Sequence, residues 1–198
     1  MGIDLRSIAV PLDAAPVQAI RTDPALWETA SEHPPFAGPW PGEALPQISQ
    51  ALLTVLGSGA DWVQHFDDRS QKQAEYLLDP AAYRVTQTWQ EREASTAYRI
   101  INGNEVFANH ATSGQGFRWR CSANAFLAAA VDRIDDLDIT TIRREFSVAE
   151  MADLGLYKVD PDEDDDSAFE RILGRLREYA GHCRLVVAQG LDLIVNLY

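Results

Sequence analysis

The clearest periodicity in the chain lies near its end. Phe169, Ile172, Leu173, Leu176, Ala180, Cys183 and Val187 recur at steps of three and four, which sets them on one stripe of a helix. Ser167 and Glu170 form a capping-box pair for its first turn. Gln189-Gly190 closes it, because Gly190 can take the left-handed conformation that ends many helices. Residues 191–198 then read as a strand rich in β-formers. A competing arrangement ends the helix at Gly181 and pairs 183–188 with 191–197 as a hairpin. Glycine inside a helix costs roughly 1 kcal/mol against alanine, yet the unbroken spacing through Cys183 and Val187 favours the long helix.

Upstream the pattern is more broken. Residues 2–10 read as a strand closed by Pro11. Asp13 can cap a short helix through Ile20, and Asp23-Pro24 opens another that carries Leu26 and Trp27. Residues 33–46 hold five prolines and two glycines around Phe36 and Trp40, which predicts an arm. Residues 46–56 form an amphipathic helix ended by Gly57, residues 61–66 are ambiguous, and 70–78 and 79–85 are helical. Residues 97–101 and 105–107 flank Asn102-Gly103-Asn104, a turn signal that predicts a hairpin. A polar loop at 110–116 leads to a strand at 117–121, and Ser122 can cap an alanine-rich helix over 123–134. A helix at 139–146 follows, then a second capping box, Ser147 with Glu150, whose helix runs to Leu154 and ends at Gly155. Strands and helices do not alternate regularly. The expectation is one α+β domain, with helices packed on a mixed or antiparallel sheet and a long C-terminal helix followed by a final strand.

Composition changes this picture little. Hydrophobic residues make up 46% and charged residues 24%, both ordinary globular values, so a chain of 198 residues needs no disulfide or metal staple. Cys121 and Cys183 lack metal-binding or redox spacing and read as buried free thiols. No apolar run approaches the roughly 20 residues of a membrane span. The first eleven residues lack the basic start and apolar core of a secretory leader, so the expected compartment is the cytoplasm. Charge is more informative. Seventeen basic against 30 acidic residues give a net −13, and between Asp132 and Glu170 stand 14 acids against 4 bases. Such a field repels nucleic acid and anionic membranes and steers a basic protein partner, while also serving solubility.

Candidate chemistry is sparse. The acidic run at 160–166 spaces carboxylates as a calcium loop does, but in neither register does it supply glycine at the sixth and glutamate at the twelfth position. It reads as a solvated loop favouring the helix start behind it. His65, Asp67 and Asp68 resemble a metal site only in composition, because no second nitrogen or thiolate stands at useful spacing. Asn109 and His110, with Gln115, Arg118 and Arg120 downstream, form the best polar cluster. Arg118 and Arg120 share one face of a strand and could hold a carboxylate or phosphate, and His110 could act as a base near neutral pH. The plainer alternative pairs these arginines with acidic residues. Arg171 and Arg175 read as a solvated helix face. No phosphate-loop, dinucleotide or nucleophile-elbow motif occurs, so neither cofactor nor metal is expected.

From Ala97 onward the order of features resembles the YfbM-like family, a group of bacterial proteins whose function is unknown. The resemblance is carried by YRIING at 98–103, GFRWRCS at 116–122 leading into the alanine-rich helix, REFSVAEM at 144–151, and Gly155-Leu156-Tyr157 before the acidic loop. The Phe169 helix and apolar final strand complete it, over roughly half the chain. The resemblance implies a small cytosolic bacterial α+β domain and carries no catalytic residues with it. The functional expectation is a non-catalytic binding or interaction domain, one that neutralises a basic partner. The alternative is an enzyme or small-ligand binder with an anion-binding cleft near His110, Arg118 and Arg120.

Overall fold

Residues 4–31, 62–85, 88–113 and 116–197 are described by a computed structural model. The expected arm at 33–46, the helix at 46–56 and Gln115 lie outside these residues. The strands are β1 (Leu5–Val10), β2 (Val63–His65), β3 (Glu105–Val106), β4 (Arg120–Ser122) and β5 (Asp192–Leu197). They make one antiparallel sheet in the order β2-β1-β5-β4-β3. The final strand is thus central, with Ile8 opposite Ile194 and Cys121 opposite Ile194 on its other side. Alternation along the strands sends Leu5, Leu193, Val195 and Leu197 to one face and Ile8, Val10, Cys121 and Ile194 to the other. Both faces are covered. The mixed or antiparallel expectation resolves as antiparallel.

The first face meets the C-terminal helix, α10 (Asp165–Ala188), whose Phe169, Ile172, Leu173, Leu176, Ala180 and Cys183 are buried. The larger of these, Phe169, Ile172, Leu173 and Leu176, each stabilise by roughly 1.5–3 kcal/mol relative to exposure. The long helix prevails over the hairpin because Gly181 sits where a side chain would meet open space, so nothing there requires the chain to turn. The helix starts earlier than the Ser167–Glu170 pair suggests. Asp164 is the cap, accepting from the Ser167 amide at 3.0 Å. The acidic run is therefore partly structural: Asp165 accepts from the Val148 amide at 2.7 Å, and Asp166 pairs with Arg143.

Helices α3 (Gln71–Leu78), α4 (Pro80–Val85), α5 (Trp89–Ala94), α6 (Thr96–Asn102), α7 (Asn124–Asp135), α8 (Ile139–Glu145) and α9 (Val148–Asp153) complete that side. On the opposite face α1 (Ala15–Thr22) and α2 (Pro24–Ser31) bury Val17, Ile20 and Trp27 against Phe107 and Trp119. Helix α1 has no side-chain cap from Asp13, whereas Asp23 does cap α2 by accepting from the Ala25 amide.

The expected hairpin at 97–107 is replaced by α6. Ser95 Oγ accepts from the Tyr98 amide at 3.1 Å, and Ala97, Tyr98, Ile100 and Ile101 are buried at helical spacing. Local capping plus a helical stripe outweighed β-forming composition. Asn102-Gly103 is the end of that helix. Gly103 has φ +98, and a Cβ there would stand 2.8 Å from Arg120 Cβ, so only glycine fits. Ser122 does not cap α7; its hydroxyl accepts from the Asn104 amide, and Asp192 accepts from the Asn124 amide instead.

Candidate functional site

Arg118 and Arg120 share one face of the chain as expected, and both end at Glu93, at 3.6 and 3.5 Å. Arg120 is buried, donating from Nε to the Gly103 carbonyl at 2.9 Å with its guanidinium 5.2 Å from the Tyr98 ring. It clasps the end of α6 to the sheet. His110 lies apart from them: its Nε2 is 3.2 Å from the Ile20 carbonyl and its ring leans on Trp27. Asn109 is exposed in the preceding turn. The expected cluster thus separates into an arginine pair that shares the single carboxylate of Glu93 and a histidine seated against the α1–α2 side.

Arg118 nevertheless borders a cleft. Two adjoining cavities of about 250 and 160 Å³ share Trp89, Tyr98, Phe117 and Leu197 as walls. Capping fixes this geometry. The Thr88–Glu91 box makes both of its hydrogen bonds and starts α5, and Ser95 then ends α5 and caps α6. Trp89 and Arg92, three apart, fall on one side of α5 and face Tyr98. The Trp89 and Tyr98 rings meet edge-on at 5.7 Å, while Trp89 remains 44% exposed at the cleft mouth.

The floor is charged. Glu75 is buried and takes two hydrogen bonds from Arg92, through Nε and Nη2 at 2.9 Å each, and a third from Asn102 at 2.8 Å. Burial pushes the Glu75 carboxyl up, against the opposing pull of Arg92 and Asn102. Arg92 lies flat among three rings, 5.5 Å from Trp89 and 5.7 Å from Tyr83 and Tyr98. Lys72 is the half-open residue of α3, whose other seven residues are buried. It lines the same cavity, and among the described residues no carboxylate is in ion-pair contact with it. Burial, then Arg92, lowers its pKa, with Glu75 opposing. The chain has only two lysines, Lys72 and the exposed Lys158. That scarcity was the available signal; the Lys72–Glu75 spacing by itself reads as an ordinary helix pair.

A second polar cluster gathers at the β1–β2 end of the sheet. Ser7 Oγ lies 2.7 Å from His65 Nε2 and 3.4 Å from His182 Nε2, beside a cavity of about 360 Å³ that His65, Tyr179 and His182 line. Burial first, then the neighbouring His182, drives the His65 pKa down to about 3. His182 is the second nitrogen near His65 that the sequence does not reveal, 117 positions away in the chain. Asp67 and Asp68 are engaged by Arg175 and Arg171, and Arg171 also holds Glu163. Those two arginines are therefore tethers for the β2 turn rather than a solvated face. Among the described residues no group of three or more metal-ligating side chains converges, and no helix is long and apolar enough to cross a membrane. Cys121 and Cys183 are free and buried, and burial pushes their thiols up to about 12 and about 11.

A five-stranded antiparallel sheet with helices on both faces, a long clamping helix and a terminal central strand defines the class, an α+β domain. The particular fold is that of YfbM. The crystal structure of a protein of unknown function, YfbM from Escherichia coli, superposes with a TM-score of 0.59 over 98% of this chain and 99% of that one, at 12% identity. At that identity the likeness shows the fold alone. No protein-family model matches the sequence, and no curated protein is similar to it.

Proposed function

We propose that the chain is a binding domain for a small ligand carrying a flat ring and an anionic head, seated in the cleft between α3, α5 and α6. The observation that carries this reading is Lys72. Lys72 lines an aromatic-walled cavity and forms no ion pair among the described residues, and beside it Arg92 gives Nε and Nη2 to Glu75 but keeps Nη1 for a second anion. In a protein of net charge −13, an unspent cation on an apolar wall is a specific place for an anion. Trp89 and Phe117 offer surfaces on which a ring can stack. The anion cleft expected near Arg118 and Arg120 thus moves to the neighbouring cation. A bacterial, cytoplasmic setting belongs to the same proposal.

The test is calorimetric titration with 3-phenylpropanoate. The wild type should bind, Lys72→Met should weaken binding about tenfold or more, and His110→Ala should leave it unchanged. Equal affinity in wild type and Lys72→Met overturns the reading.

A basic protein partner is the second reading, favoured by the acidic stretch at 132–170. Asp153, Asp160 and Asp162 are the carboxylates to neutralise in testing it, because Asp164, Asp165 and Asp166 hold the fold through the contacts described above. Capture of a basic protein that survives in the Asp153→Asn/Asp160→Asn/Asp162→Asn variant would remove this reading.

A further inference from the structure

Resting on that cleft reading, we infer that Lys72 is a carbonyl-capturing amine and that the ligand class is an aromatic 2-oxo acid, held as an imine. Three features converge. Lys72 lines the cavity and forms no ion pair among the described residues, so only the nearby Glu75, itself held by Arg92 and Asn102, opposes loss of its proton. Glu75, one turn along the same helix, is instead committed to Arg92 and Asn102. Arg92 donates Nε and Nη2 to Glu75, and Nη1 makes no hydrogen bond to the described residues, which leaves a donor for a carboxylate beside the amine. Burial among aromatic walls, with Arg92 nearby, lowers the Lys72 pKa and enlarges its neutral, nucleophilic fraction.

The step balances without an added oxidant or reductant. The neutral Nζ adds to the keto carbon, forming the C–N bond as the carbonyl π pair moves to oxygen. That oxygen takes a proton from the nitrogen. The carbinolamine then loses its hydroxyl with a proton as water, leaving C=N. Protons exchange with solvent at the mouth, where Trp89 is 44% exposed. The ligand ring stays against Trp89 and Phe117, and its carboxylate stays on Arg92.

The experiment uses the full chain with phenylpyruvate, and with 3-phenylpropanoate as the analogue lacking the ketone. Reversible binding is measured first; cyanoborohydride is then added and the protein is digested and mapped by mass. The expected result is a gain of the phenylpyruvate mass less one oxygen atom on Lys72, exceeding that on Lys158 by about tenfold or more. 3-Phenylpropanoate should bind and give no adduct. Lys72→Arg should give no adduct at position 72. Binding of both compounds with no adduct, or equal labelling of Lys72 and Lys158, overturns the imine and leaves the cleft reading intact. Binding of neither compound overturns both.

Discussion

Arg92→Met isolates the charged floor of the cleft. In the wild type the Glu75 side chain is 1% exposed and that of Arg92 is 15% exposed, and two hydrogen bonds of 2.9 Å join them. Methionine keeps much of the packing against Trp89 and Tyr98 but leaves a buried carboxylate with the single Asn102 bond. Breaking a buried pair on one side costs about 3–5 kcal/mol. A second route gives the same scale. If Glu75 escapes by taking a proton at pH 7, the cost is set by the distance from its ordinary pKa of about 4.3, roughly 3.7 kcal/mol. In that variant the folded state binds a proton that the unfolded chain lacks, so the penalty shrinks on acidification, by about 1.4 kcal/mol per pH unit towards pH 5. Adding Glu75→Gln should restore much of the loss, because the amide keeps a partner in Asn102 and carries no charge. Urea unfolding at pH 7 and pH 5 of the two single variants and the double variant measures this. A single-variant loss under about 1 kcal/mol, unchanged by pH and additive with Glu75→Gln, would show that the pair is not a buried unit.

Three other outcomes follow from the same geometry. Gly103→Ala should destabilise by several kcal/mol, since the added Cβ would lie 2.8 Å from Arg120 Cβ at φ +98, whereas Gly181→Ala in open helix should stabilise by about 0.5–1 kcal/mol; thermal melts of the pair check both signs. His65 stays neutral when folded, with its pKa near 3. Its contribution is therefore full above the unfolded value of about 6.5 and is lost as pH falls towards 3, amounting to about 2 kcal/mol by pH 5. Denaturant midpoints between pH 7 and 5 should fall accordingly, and His65→Gln should flatten that slope. Asp164→Ala removes the cap of α10 and should cost about 1 kcal/mol, readable as a shift in urea midpoint at constant m-value.

What could be read from the sequence was whatever the chain writes locally. The stripe from Phe169 to Cys183, the Asp23 cap, the Gly155 stop and the final strand each depend on neighbours within a few residues, and they stand in the structure. Residues 96–102 misled because Tyr98, Ile100 and Ile101 suit a strand by composition and Asn102-Gly103 suits a turn. The deciding facts were a serine cap and a close approach of Gly103 to β4, the latter made only in the folded chain. The site was legible only in part. Arg118 and Arg120 pointed to the right edge of the sheet, but their partner Glu93 lies 25 and 27 positions upstream, on another element. The Glu75–Arg92 and His65–His182 encounters are likewise products of packing, with no spacing that announces them.

The most direct test of the account is amide shift mapping of the ¹⁵N-labelled protein during titration with 3-phenylpropanoate. Perturbations should centre on Lys72, Trp89, Arg92, Tyr98 and Phe117 and require about tenfold more ligand or more in Lys72→Met. Saturable shifts confined instead to the His65–His182 end or to the acidic stretch at 132–170, or no shifts in the wild type, would contradict it.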